Sequence, residues 1–301
     1  MWLFNECGVF SLAQGQTFDA NALFGQSLKL QEAIDGGERG PMRQRILVNW
    51  GLCLIDRGRL VSARRTFREI QSASENDPLL QTLAAGFLAH IDSLTGQIPN
   101  AERGFAETAV ELEKQRHLRP LAILYCSWGD LHRHIGKAEL AIADYKRAHD
   151  YAEAAGYADF VHYARIGIAR TRLWRTRSST EIEESMRILE AAEEYADRMD
   201  IPRLKCEVMV IRGEIQIGQG EMVLASQLVT RAIRIANLNG LVLRKISALQ
   251  LLSEIHRARG DMAGADRLYN QTLQAAREIG YHLTVTHSSL DLTVADTDFN
   301  G

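Results

Sequence analysis

Leu121–Asp150 reads LAILYCSWGDLHRHIGKAELAIADYKRAHD. Leu121, Leu124, Tyr125, Trp128, Leu131 and Ile135 recur with the 3.6-residue spacing of a helix buried along one side, and beyond Gly136 the stripe resumes through Ala138, Ala141, Ile142, Tyr145 and Ala148. The stretch therefore predicts two antiparallel helices, with Gly136 ending the first in a left-handed conformation that costs a glycine nothing. Gly129, seven residues before the turn, lets the paired helix approach closely. Ala141 does the same from the other side, and Tyr145 fills the gap between them.

The same arrangement returns along the whole chain. Gly15, Gly58, Gly96, Gly136, Gly220 and Gly260 stand 43, 38, 40, 84 and 40 residues apart. Five residues after each comes Ala20, Ala63, Ala101, Ala141, Ala225 or Ala265, and nine after comes Phe24, Phe67, Phe105, Tyr145, Val229 or Tyr269. Gly8, Gly51, Ala89, Gly129, Gly213 and Ser253 hold the small position seven before. The 84-residue gap conceals a divergent unit with Gly167 as its small residue, a turn in Arg175–Ser179, and Ile182, Met186 and Leu189 restoring the stripe, which makes seven units. Pro41, Pro78, Pro99, Pro120 and Pro202 all fall in loops or first helical turns. Gly36–Gly37, Asn76–Asp77, Gly156, Asn239–Gly240 and Gly280 mark the ends of second helices. The expected fold is all-α: a right-handed α-solenoid of about seven antiparallel helix pairs over residues 1–280, with 281–301 as a capping helix or frayed tail.

Composition sets outer bounds. The chain has 301 residues, 46% of them hydrophobic, enough for a large core. A formal charge of -3 gives no general attraction to nucleic acid or to an anionic membrane. Cys7, Cys53, Cys126 and Cys206 are widely separated on helical stripes and read as small buried thiols in a reducing compartment. MWLFNECG lacks the charged and long apolar regions of a signal peptide, and no apolar run is long enough to span a bilayer. A cytoplasmic protein is expected.

The repeat resembles the tetratricopeptide repeat, in which a small residue, two alanines and an aromatic pack the hairpin. Gly129, Ala141, Tyr145 and Ala148 hold those places in the fourth unit, and Gly213, Ala225, Val229 and Ala232 in the sixth. Trp50 and Trp128 directly precede the small residue, whereas the family's tryptophan lies four before it. The period of about 40 is similar to the longer-helix variety found in kinesin light chain and in the sensor arms of bacterial signalling regulators. The resemblance implies a superhelix with each unit's first helix lining the hollow, and a scaffold rather than a catalyst.

Residues three before, one after, four after and five after each small position should then face the hollow. They include His90, then Asp130, Arg133 and His134, then Arg172, then Glu214, then Gln250, Glu254 and Arg257. The lysine and asparagine clamp that marks the family's chaperone-tail receptors is missing. Only Asn5 and Asn49 come close to the inward asparagines of its extended-peptide readers.

From His162 to Arg177 stand five arginines and no acid, while Glu181–Asp200 holds eight acids. Two readings follow. The arginines solvate an irregular loop and pair with the next helix, or Arg133, His134, Arg165 and Arg172 form a basic wall for an acidic or phosphorylated segment.

Catalytic chemistry finds no foothold: there is no phosphate-binding glycine loop, no GxSxG and no HExxH. His132 and His134 point about 200° apart on one helix and cannot share a metal, so no metal, cofactor or enzymatic activity is expected. RNA-reading helical repeats need a recurring base-reading pair, which is missing, and this disfavours nucleic acid. The expected function is a non-catalytic interaction scaffold or regulatory arm binding a peptide or protein segment in its groove. The alternative is a sensor of a small molecule or signalling peptide, recognisable by a pocket closed around His90, Asp130 and Arg133. Exposed Trp2 and Phe4 on the first unit would favour self-association.

Overall fold

The computed structural model describes residues 1–35, 40–73, 77–175 and 178–282. Among them are fourteen helices and no strand: α1 (Trp2–Ala13), α2 (Thr17–Asp35), α3 (Pro41–Asp56), α4 (Leu60–Ala73), α5 (Pro78–Leu94), α6 (Ile98–Lys114), α7 (Leu118–His134), α8 (Ala138–Ala154), α9 (Ala158–Arg175), α10 (Ser179–Arg198), α11 (Pro202–Gly218), α12 (Met222–Asn239), α13 (Val242–Ala258) and α14 (Met262–Ile279). Consecutive helices pack as seven hairpins, and each hairpin packs on the next. Gly136 adopts φ 77° between α7 and α8, and the chain re-enters through Lys137 N–H donating to His132 O at 2.8 Å. Between hairpins, Arg116 and Asp200 take the left-handed conformation where no glycine stands.

The repeat's small residues make the core. Ala20, Ala63, Ala101, Ala141, Ala225 and Ala265 are each wholly buried. So are Phe24, Phe67, Phe105 and Val229, while Tyr269 in the last hairpin is half-buried. A methyl group placed on Gly51 would lie 2.4 Å from Phe67 Cζ, so that glycine is a socket for the ring. Ser253, in the same place on α13, instead donates its hydroxyl to Ala265 O at 3.0 Å. All five prolines lie in first helical turns. Cys53, Cys126 and Cys206 are buried, and burial pushes the Cys53 and Cys206 thiols up to about 12. Cys7 departs from the expectation: it is exposed.

The row of hairpins curls until its ends meet. Arg203 of α11 donates to Asp56 of α3 at 3.1 Å, across 147 residues of sequence. The Thr17 hydroxyl donates to Asn239 O at 2.7 Å, and His282 N–H donates to Leu94 O at 2.8 Å. Leu243 and Tyr281 pack against the core of the first three hairpins. The sequence stops read at Gly36–Gly37 and Asn76, Arg177 in the turn of the fifth unit, and all of 281–301 beyond His282 lie outside the described residues. No helix among the described residues is long and apolar enough to cross a membrane.

Candidate ligand cavity

The curl surrounds a partly open cavity of about 280 Å³. Its wall comes from the first helices of hairpins two to seven: Ile55 and Asp56 on α3, His90, Ser93 and Leu94 on α5, Asp130, Arg133 and His134 on α7, Arg170, Leu173 and Trp174 on α9, Glu214, Ile215 and Gly218 on α11, and Arg244, Ser247, Gln250, Leu251 and Glu254 on α13. Ile182 of α10, Leu241, Leu243 and Tyr281 complete it.

Seven residues singled out from sequence therefore share one cavity: His90, Asp130, Arg133, His134, Glu214, Gln250 and Glu254. The other three are elsewhere. Arg165 is exposed and bonds His149 at 3.2 Å and Glu153 at 3.5 Å on the neighbouring α8. Arg172 pairs with Glu184 of its own hairpin at 3.0 Å, and Arg257 is exposed. The four-residue basic wall is thus not assembled: Arg133 and His134 are inside, Arg165 and Arg172 outside.

The reason is a shift of register in α9. Gly167 accepts the ring of Tyr145 from the preceding hairpin, so it does not mark the face turned to its own partner α10. Thr171, expected to face inward, is wholly buried and donates to Gly167 O at 2.7 Å. Arg170 faces the cavity in its place. The apolar run Ile166, Ala169 and Leu173, all buried, was the available signal. Arg244 and Tyr281 had none, because only closure of the ring brings them inward.

The charges inside are paired. Arg170 donates to both carboxylate oxygens of Glu214, one of them at 3.1 Å, and to Glu207 at 3.0 Å. Arg244 lies 3.0 Å from the other oxygen of Glu207. Asp130 accepts from the Tyr145 hydroxyl at 2.7 Å and from Arg133 at 3.4 Å. Burial by itself would raise the Asp130 pKa, but Arg133, His134 and the Tyr145 hydrogen bond hold it below the ordinary carboxylate range. His134 is pushed down to about 3, first by burial and then by the neighbouring Arg133 guanidinium. Burial also lowers His90, whose Nδ1 has no partner among the described residues. The lining thus carries three guanidiniums, four carboxylates and two neutral imidazoles among apolar and aromatic side chains. It is an amphipathic hollow, partly open to solvent, with no group of three or more metal-ligating side chains among the described residues.

Known structures show the same architecture. The Rap conjugation gene regulator of plasmid pLS20, solved with the Phr* peptide, superposes with a TM-score of 0.72 at 14% identity, over 90% of this chain and 72% of that one. Its fold is that of the tetratricopeptide-type repeats. NprR in complex with its cognate peptide NprX gives 0.62 at 13% identity, over 91% and 77% of the two chains. A Rap protein complexed with competence and sporulation factor gives 0.61 at 14%, over 92% and 76%. No protein-family model matches the sequence, and no curated protein does. At these identities the likeness is one of fold.

Proposed function

We propose that this tetratricopeptide-type superhelix is a non-catalytic sensor module that takes a short peptide, or a small molecule of comparable polarity, in its central cavity. The observation that carries the reading is the closed ring. Hairpins two and six touch through Asp56 and Arg203, so the hollow is walled on all sides around its axis, unlike the open-sided trough that suits a long protein segment. The peptide complexes of the similarly folded Rap and NprR proteins support the same class of ligand. The mixture of paired guanidiniums and carboxylates suits a ligand carrying both charges rather than an acidic segment, and His90 Nδ1 offers a buried polar atom to be satisfied. Because the hollow is built from six hairpins and held by contacts between distant ones, a ligand that prefers the curled form stabilises those contacts.

Thermal-shift screening against pools of penta- to heptapeptides and of amino-acid-sized metabolites tests this. A specific ligand should raise the unfolding midpoint, and Ser247→Trp, which fills the chamber, should abolish that rise without loss of helicity. Binding that persists unchanged in the filled variant would place the ligand elsewhere.

A further inference from the structure

The charges lining the hollow do not cancel. Arg133, Arg170 and Arg244 face Asp56, Asp130, Glu214 and Glu254, while His90 and His134 are held neutral by burial, so the lining is left with one net negative charge. A charge without its counterpart away from bulk water is costly, and a ligand of the opposite sign removes that cost. Trp174 and Tyr281 line the same hollow, and aromatic faces also favour a cation.

One carboxylate is placed to receive that ligand. Asp130 has 45% of its side chain open, against 11% for Arg133, 19% for Asp56 and Arg170, 24% for Glu214 and 33% for Arg244. Its Oδ1 is held by the Tyr145 hydroxyl at 2.7 Å and by Arg133 at 3.4 Å, whereas Oδ2 has no hydrogen-bond partner among the described residues. The carboxylate is thus fixed in orientation through one oxygen and offers the other. Arg244, the most open of the three guanidiniums, already lies 3.0 Å from Glu207.

We propose that the ligand carries a primary ammonium group, as a peptide's amino terminus or a small amine does, and that Asp130 Oδ2 seats it. This rests on the reading of the hollow as the ligand site and adds the sign and position of the ligand's charge. Thermal shift and calorimetry on the full chain test it with four probe sets: pentapeptides whose only cation is the amino terminus, small amines such as isoamylamine and phenethylamine, and the N-acetylated form of each. Which of the two free sets responds tells the sources apart. Acetylation, which removes the positive charge, should weaken binding about thirtyfold. Asp130→Asn, which can still accept from the Tyr145 hydroxyl, should weaken the free probe by a similar factor and leave the acetylated one within about twofold. Acetylated probes that bind the wild type as tightly as free ones would overturn the ammonium seat while leaving the hollow as the ligand site. Free probes that bind Asp130→Asn as tightly as wild type would do the same. If that variant does not fold, the acetylation comparison on the wild type decides alone. No response to any set, or one that persists in Ser247→Trp, would overturn the site and the seat with it.

Discussion

The fourth and fifth hairpins share one side chain and use it differently. Tyr145 of α8 lies against Gly129 of α7 and Gly167 of α9: a methyl group on either glycine would come within 2.9 Å or 2.5 Å of its ring. For α7 that contact is internal to the hairpin, so the small residue reports which face meets the partner helix, and the inward residues Asp130, Arg133 and His134 follow at fixed offsets. For α9 the contact belongs to the junction with the previous hairpin, and the same offsets fail. A small residue in a repeat records where something large lies close, without saying which neighbour supplies it.

The sharpest way to break this comparison is to fill both sockets. Gly129→Val and Gly167→Val should each destabilise by about 3 kcal/mol, because the added branches overlap a ring held in a packed core. The Gly167 variant should be the worse of the two. The double variant should lose more than the sum, since Tyr145 can retreat from one glycine only by moving toward the other. Additive losses measured by urea unfolding would mean that the ring is not shared.

The register shift gives a second contrast, between two arginines two residues apart. Arg170→Met leaves Glu207 and Glu214 mostly buried without their common partner, a loss of about 3 kcal/mol. Arg172→Met removes one partly exposed pair with Glu184 and should cost less than about 0.5 kcal/mol. Equal midpoints for the two variants would return α9 to the register expected from Gly167.

Much of this was legible in the sequence, for a physical reason. Helix ends, turn glycines and the alanine sockets depend on neighbours within about forty residues, and the wholly buried Ala63, Ala141 and Ala225 agree with the spacing that nominated them. The inward placement of His90 and Glu214 followed from the same local logic. Closure of the ring did not. The Asp56–Arg203 pair depends on rotations accumulated over four hairpins, and no local pattern encodes their sum. Arg244 and Tyr281 reach the cavity only as a consequence of that closure. On α1 the exposure of Trp2 agrees with the sequence reading, whereas Phe4, expected beside it on the surface, is half-buried.

The smallest predicted effect probes the inside of the ring by pH. The folded pKa of His134, about 3, lies below the ordinary histidine value of 6.5, so the native state favours the neutral ring. A group lowered on folding contributes stability that is fully present above its unfolded pKa and is lost as pH falls from there toward the folded value. Between about pH 6.5 and 4.5 the unfolded chain takes up a proton that the folded chain refuses, at up to about 1.4 kcal/mol per pH unit for each such histidine. His90 is lowered too and acts in the same direction. Asp130 enters only below this window, because its carboxyl is held under the usual range and begins to matter as pH approaches its unfolded value near 4. His134→Gln, which keeps an acceptor for Arg133 but cannot titrate, should therefore flatten the acid limb of the stability curve by up to about 2 kcal/mol at pH 5. If His134→Gln leaves the limb as steep as wild type, the imidazole is in contact with solvent and the ring is open at that point.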